Sequence, residues 1–238
     1  MSLDFFGHPF SSYTQKCLIA LWADGTDFAY RMIGPDHPEN MEELRRHSPF
    51  GMFPLLLDDG QALLESTTII EHLAACHPGP HQWIPDGEAG RQVRFLDRFF
   101  DLYIMNNMQK AGNDILRPEG SRDPYGVQKA RADLVTAYDW LEANLGNGPW
   151  AIGDRFTMAD CAAAPSLFYA DWLVEIGGDR PRLASYRARL LAHPVVARAV
   201  DEGEHCLAAR VRQRRRFTHR APPFRARAGR SAAASRRS

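Results

Sequence analysis

The segment His77-Pro78-Gly79-Pro80 divides this chain into two parts with different periodicities. Two prolines and a glycine in four residues cannot continue a helix. Upstream, short apolar runs alternate with helical patterns. Leu3–Phe6 reads as a strand stopped by Gly7-His8-Pro9. Ser11 or Ser12 can cap the next helix, in which Cys17, Leu18, Leu21 and Trp22 fall at helical spacing and Gly25 marks the end. Phe28–Ile33 reads as a second strand and Glu39–His47 as a short helix. Phe53–Leu57 is a third strand, Asp59-Gly60 a hairpin turn and Ala62–Leu64 a fourth strand. Ser66 then caps a helix through Ile69, Ile70, Leu73 and Ala74. The expected order is β-α-β-α-β-β-α.

Downstream of the break no strand pattern remains. Val93, Leu96, Phe99, Phe100, Tyr103 and Ile104 form a helical stripe, as do Ala130, Leu134, Ala137, Tyr138 and Leu141. Further helices fit Met158–Trp172, Leu183–Ala192 and Val195–Ala208. The spacing therefore predicts an α/β domain over residues 1–78, a linker over 79–87, an all-helical domain over 88–208 and a tail over 209–238.

Apolar residues make up 45% of the 238, enough for a packed core and too many for a wholly disordered chain. No apolar run approaches the roughly 20 residues that span a bilayer, and the N-terminus MSLDFFGHPF lacks a secretory pattern. The four cysteines (Cys17, Cys76, Cys161, Cys206) form no CxxC pair and no zinc-like spacing. A reduced, cytoplasmic protein without a metal is the expectation. The formal net charge of zero conceals a split. Residues 207–238 hold 11 arginines and no acid, leaving 18 basic groups against all 29 acids in residues 1–206. The tail's composition predicts disorder. Its charge suits acidic surfaces, but Phe217 and Phe224 are too sparse for a base-stacking platform. Neither a specific nucleic-acid partner nor membrane insertion is expected.

Two helix starts offer chemistry. A helix N-terminus leaves N–H groups unpaired and carries partial positive charge, so it attracts carboxylates. At Glu65-Ser66 the hydroxyl can add a donor, while the acid can attract an ammonium group. At Ser11 a hydroxyl precedes a helix and can cap it.

Three segments carry a wider likeness: SSYTQKCLIAL (11–21), SPFGMFPLLLDDGQALLESTTIIEHL (48–73) and GDRFTMADCAAAP (153–165). With them the chain resembles the cytosolic glutathione S-transferase superfamily, over about residues 3–206. The resemblance implies a thioredoxin-like α/β domain followed by an all-α domain. It implies glutathione as co-substrate, no metal, and a homodimer. Phe53, Pro54, Glu65 and Ser66 would hold the tripeptide, with a cis Phe53-Pro54 peptide presenting the Phe53 backbone to its cysteinyl part. Ser11 would stabilise the thiolate, as the matching serine does in theta-like and zeta-like members. Ser12 is the second candidate and Tyr13 the third. Phe6 stands near the position of the tyrosine that other classes use, so the chain is not tyrosine-type.

The helical domain would line the site of a small hydrophobic electrophile, with Tyr103, Asn107, Met108 and Tyr169 facing the first domain. Asp101 and Asn106 would offer a supporting carboxylate or amide. Cys17 reads as a buried structural thiol. Thr157 and Asp160 read as a capping box that serves folding. One departure is Met52, where many members carry Lys or Gln. His47 and Arg45 are nearby substitutes. The implied activity is thiol activation for detoxifying conjugation, or for isomerisation or dehalogenation. The rival expectation is a catalytically weak binding protein of the same fold.

Overall fold

The computed structural model describes the backbone of residues 2–218 and the side chains of residues 2–206. The first domain is thioredoxin-like. Its sheet comprises β1 (Leu3–Gly7), β2 (Ala29–Met32), β3 (Leu55–Asp58) and β4 (Gln61–Leu64), in the order β2-β1-β3-β4. A parallel pair needs a crossover, and helix α1 (Ser12–Ala23) supplies it between β1 and β2. β3 runs antiparallel to both β1 and β4. The β3–β4 turn places Asp59 at φ 46° and Gly60 at φ 86°, the left-handed pair that a two-residue hairpin requires.

Alternation along the strands builds two cores. Leu3, Phe5 and Leu56 join the main core beneath α1 and α3 (Ser66–Cys76). Phe6, Leu55 and Leu57 pack on the other face with Leu44 of α2 (Pro38–His47). Two sequence expectations shift here. The third strand begins at Leu55 rather than Phe53, because Pro54 has no N–H to enter the ladder. Ser66 is the first residue of α3 and not its cap. The cap position belongs to Glu65, whose side chain makes no capping hydrogen bond.

The second domain is all-helical. It comprises α4 (Gly87–Phe99), a π-helical stretch (Phe100–Met105), α5 (Asn106–Asp114), α6 (Pro124–Asn144), α7 (Met158–Asp171), α8 (Pro181–Ala192) and α9 (Pro194–Thr218). α7 is its axis, buried at every position from Met158 to Ala170. Such a helix is apolar on all sides, and its small Ala162, Ala163 and Ala164 let α1 of the first domain pack closely. Thr157 and Asp160 form the expected capping box at its start. The helical backbone of α9 passes the predicted end at Ala208 and runs to Thr218. The rest of the predicted basic tail, residues 219–238, lies outside the described residues. No described helix is long and apolar enough to cross a membrane.

Candidate functional site

Strand register decides what meets what. Phe6 is opposite Leu55, and Leu55 is opposite Leu64. The end of β1, the start of β3 and the end of β4 therefore share one edge of the sheet. The loop to Ser11, the Phe53-Pro54 peptide and the Glu65-Ser66 turn all leave from that edge. Residues separated by over fifty positions in sequence come together there.

Ser11 is the N-cap of α1. Its backbone is extended, at φ −84° and ψ 125°, and its Oγ accepts the Thr14 N–H at 3.3 Å. The hydroxyl proton is not used by that bond, so it remains available to donate. Ser12, the second candidate, turns its Oγ into the interior, where no partner meets it among the described residues. Tyr13, the third, directs its hydroxyl to Asn106 Oδ1 in the helical domain at 3.4 Å. Burial, aided by Asp101, pushes the Tyr13 phenol up to about 12, so it stays protonated. Of the three, the Ser11 hydroxyl is the one that is not buried and whose proton the Thr14 bond leaves available.

The loop carrying Ser11 is anchored from the other domain. Gln15 Nε2 lies 2.9 Å from Pro9 O, 3.0 Å from Tyr169 Oη and 3.2 Å from Ala199 O. The Tyr169 hydroxyl donates to Phe10 O at 3.1 Å. Tyr169 thus faces the first domain, and its hydroxyl acts as a structural strut.

At the second helix start, Glu65 adopts φ 68° and ψ 123°, a conformation that favours glycine. Such strain clusters at functional sites. The turn it makes leaves the first N–H groups of α3 without a side-chain cap. Ser66 is buried, at 4% exposure, and Glu65 is exposed. The Phe53-Pro54 peptide beside them is cis. Met52 is 67% exposed and brings no polar group to this corner. His47 pairs with Glu43 at 3.1 Å, while the neighbouring Arg45 lies exposed in the last turn of α2.

Beneath this corner lies an ion cluster that sequence spacing did not reveal. Lys16 is 1% exposed. Its Nζ contacts Asp97 Oδ1 at 2.7 Å, Asp101 Oδ2 at 2.8 Å and Thr67 Oγ1 at 3.0 Å. Thr67 in turn donates to Asp97 Oδ2 at 2.7 Å. Burial opposes the Lys16 charge, but Asp101 and Asp97 outweigh it and hold the ammonium above the usual lysine value. Burial raises the Asp101 carboxyl against the pull of Lys16. The cluster joins α1 and the first turn of α3 to α4 and the π-helical stretch. It thereby braces the turn that begins at Glu65. Cys17, next to Lys16, is fully buried, and its Sγ donates to Ser66 O at 3.6 Å. Burial raises that thiol, so it is inert rather than nucleophilic.

An aromatic wall stands beside Ser11. Met105, Phe168 and Tyr169 pack with Phe10, Tyr13 and Met108. Trp172, half-exposed, stacks its edge on Phe168 at 5.2 Å and approaches Phe10 at 6.2 Å. Of the predicted electrophile contacts, Met108 and Tyr169 join this wall. Tyr103 packs on Phe99 at 5.1 Å instead and is 54% exposed, while the Asn107 amide donates to Tyr103 O. Phe10, Met105, Phe168 and Trp172 were not singled out by spacing. Their signal is diffuse, since aromatic residues at helical spacing look the same in a core and in a pocket.

A cleft of about 570 Å³ lies away from this edge, between residues 145–150 and α8, and none of the predicted site residues lines it. Arg182 and Arg189 there are taken up by the carbonyls of Leu145 and Pro149.

A thioredoxin-like sheet with an open, strained helix start, a cis-proline and a helical domain packed on α1 defines a class of two-domain proteins. Family models agree on which. Residues 5–81 match the glutathione S-transferase N-terminal domain and residues 124–189 the C-terminal domain. The chain belongs to the glutathione S-transferase superfamily. It is 23% identical over 203 residues to glutathione S-transferase F6 of Arabidopsis thaliana, covering 79% of this chain and 94% of that one. It is 27% identical over 165 residues to a probable maleylacetoacetate isomerase of Caenorhabditis elegans, covering 68% and 75%. A crystal structure of a glutathione S-transferase from Methylobacterium radiotolerans, in complex with glutathione sulfonate, superposes with a TM-score of 0.73 at 26% identity. The match covers 84% of this chain and 95% of that one.

Proposed function

We propose that this chain is a serine-type glutathione transferase that ionises the glutathione thiol for attack on a small hydrophobic electrophile. The observation that carries the reading is the shared sheet edge, which gathers Ser11, Phe53-Pro54 and Glu65-Ser66. In this reading the open start of α3 receives the γ-glutamyl carboxylate, with the Ser66 hydroxyl as a further donor. The exposed Glu65 carboxylate receives the ammonium group of the same residue. The Phe53 backbone pairs with the cysteinyl part. A thiol titrates near 8.5 in water and is mostly protonated at neutral pH. The Ser11 hydroxyl and the positive end of α1 both favour the thiolate.

The aromatic wall of Phe10, Met105, Met108, Phe168 and Trp172 supplies the apolar side of the electrophile site. Conjugation, isomerisation of an unsaturated diketo acid and dehalogenation all begin with this thiolate. Likeness to the probable maleylacetoacetate isomerase keeps isomerisation among them and supports a theta-like or zeta-like assignment. Positioning and pKa tuning are the protein's contribution. The domain division at 1–78 and 88–208, a cytoplasmic location and a homodimer belong to the same proposal. The exposed Phe50, Phe95, Leu102 and Tyr103 are the apolar surface that a second copy would cover.

The test is Ser11→Ala, assayed with a panel of electrophiles. The expected result is a fall in kcat of about 100-fold, with a raised thiol pKa in the bound complex and little change in glutathione affinity. Unchanged turnover and an unchanged thiol pKa would remove Ser11 from its role. One observation favours the rival reading of a catalytically weak binding protein: the polar contact that Met52 lacks. Tight glutathione binding with no turnover across the panel would decide for that rival.

A further inference from the structure

At the end of α3 remote from Glu65, three metal-ligating side chains converge. Asp58 is the last residue of β3, His72 lies in the second half of α3, and His77 is its C-cap. Nε2 of His72 and Nε2 of His77 each lie 2.7 Å from Oδ2 of Asp58. One ligand atom from each residue falls within 4.8 Å of the other two. On a continuous α-helix, residues five apart would point about 140° away from each other. His77 escapes that geometry because it has left the helix, at φ −130° and ψ 55°. Its exit turn brings the two rings to a centroid separation of 5.9 Å.

The surroundings favour a cation. The C-terminal end of a helix carries partial negative charge, and Asp58 adds a full one. Among the described residues, Asp58 has no lysine or arginine partner, and its ion-pair partners are the two imidazoles. The three side chains are 14–16% exposed, screened from bulk water yet reachable by an ion. Two imidazole nitrogens and one carboxylate oxygen match the donor preference of zinc and its neighbours. Calcium and magnesium take all-oxygen sets. Three protein ligands leave a position for water.

We propose that Asp58, His72 and His77 bind one first-row divalent transition-metal ion, with zinc the best match. Its role is structural. Leu3 is opposite Asp58 in the register, whereas Phe6 is opposite Leu55, so the site lies at the other edge of the sheet from Ser11. There the ion would clamp the C-terminal end of α3 to the β3–β4 hairpin, the unit that leads into Glu65 and Ser66. The sequence expectation of no metal rested on Cys/His spacing and on the family resemblance, neither of which weighs an aspartate delivered by a strand.

The experiment uses the full-length chain without an affinity tag, stripped with a chelator and kept free of glutathione. Zinc chloride is titrated calorimetrically, and thermal unfolding is read with and without zinc. The expected result is one zinc per chain and a rise in Tm of about 2–8 °C at saturating zinc. Asp58→Asn, His72→Gln and His77→Gln should each weaken zinc binding by more than the roughly tenfold that even an outer-shell partner costs, and remove the rise in Tm. Cys76→Ser, a nearby exposed thiol, should retain both. The rise is read within each variant, so a variant of lower basal stability still reports. No stoichiometric binding, equal binding by the His72→Gln/His77→Gln double variant, or loss of binding in Cys76→Ser would overturn the assignment.

Discussion

The starts of α3 and α7 are built from the same kinds of residue and end in opposite states. At α7 the Thr157 N–H donates to Asp160 Oδ2 at 2.8 Å, and the Thr157 hydroxyl lies 3.0 Å from the same oxygen. The other oxygen of Asp160 accepts the Ala151 N–H and the Tyr186 hydroxyl, each at 2.8 Å. The acid is fully buried, and every contact it makes is internal. At α3 the acid is exposed, the cap position is strained and no side chain closes the turn. A closed start uses its hydrogen bonds within the fold; an open start leaves them unused by its own side chains. Ser11 at the head of α1 stands between the two, capping one N–H while its own proton remains available.

The largest effect expected from this contrast is at Asp160. Asp160→Ala would strand the Ala151 N–H, the Thr157 N–H and the Tyr186 hydroxyl in the interior. At about 1–3 kcal/mol for each unsatisfied buried group, and with relaxation, urea denaturation should show a loss of about 3–5 kcal/mol. A loss near 1 kcal/mol would make this an ordinary cap and weaken the contrast. Next in size is Ser66→Ala. It should lower glutathione affinity about tenfold, measured by calorimetry, and shift the unfolding free energy by less than about 1 kcal/mol. A stability loss as large as that at Asp160, with affinity intact, would make Ser66 a folding residue.

The smallest effect is the sharpest in sign. Glu65→Gly relieves the positive φ and should raise stability by about 0.5–1 kcal/mol, a partial recovery of the usual strain cost. It should weaken glutathione binding at the same time. Opposite signs in the two measurements are the mark of an open start. A fall in both would show that Glu65 supports the fold.

These helix starts also show what sequence can convey. Strand alternation and the Pro-Gly break at residues 77–80 made the two-part architecture readable, because burial on a sheet face leaves a period of two. Ser11 and Glu65-Ser66 were readable because turns that open helices draw on few residue types. The cap at Glu65 was misplaced onto Ser66, since serine is the commoner cap and positive φ leaves no signature in a glutamate. Lys16 was invisible for a different reason. Its carboxylates at Asp97 and Asp101 come from another domain, and a lysine among Cys17, Leu18 and Leu21 looks like a snorkelling surface residue. The aromatic wall draws Phe10 from a loop and Phe168 and Trp172 from a distant helix. Only the packing of α1 on α7 brings them together.

That buried lysine bears on how the molecule is made. The segment before the break at residues 77–80 emerges from synthesis with Lys16, whose counter-charges Asp97 and Asp101 arrive only later. Burying an ammonium alone costs several kcal/mol, so α1 cannot settle into its final packing before its partners arrive. The boundary at residues 77–80, so plain in the sequence, is therefore a poor place to cut. A fragment ending there would hold Lys16 without Asp97 and Asp101, so the two domains depend on each other to fold.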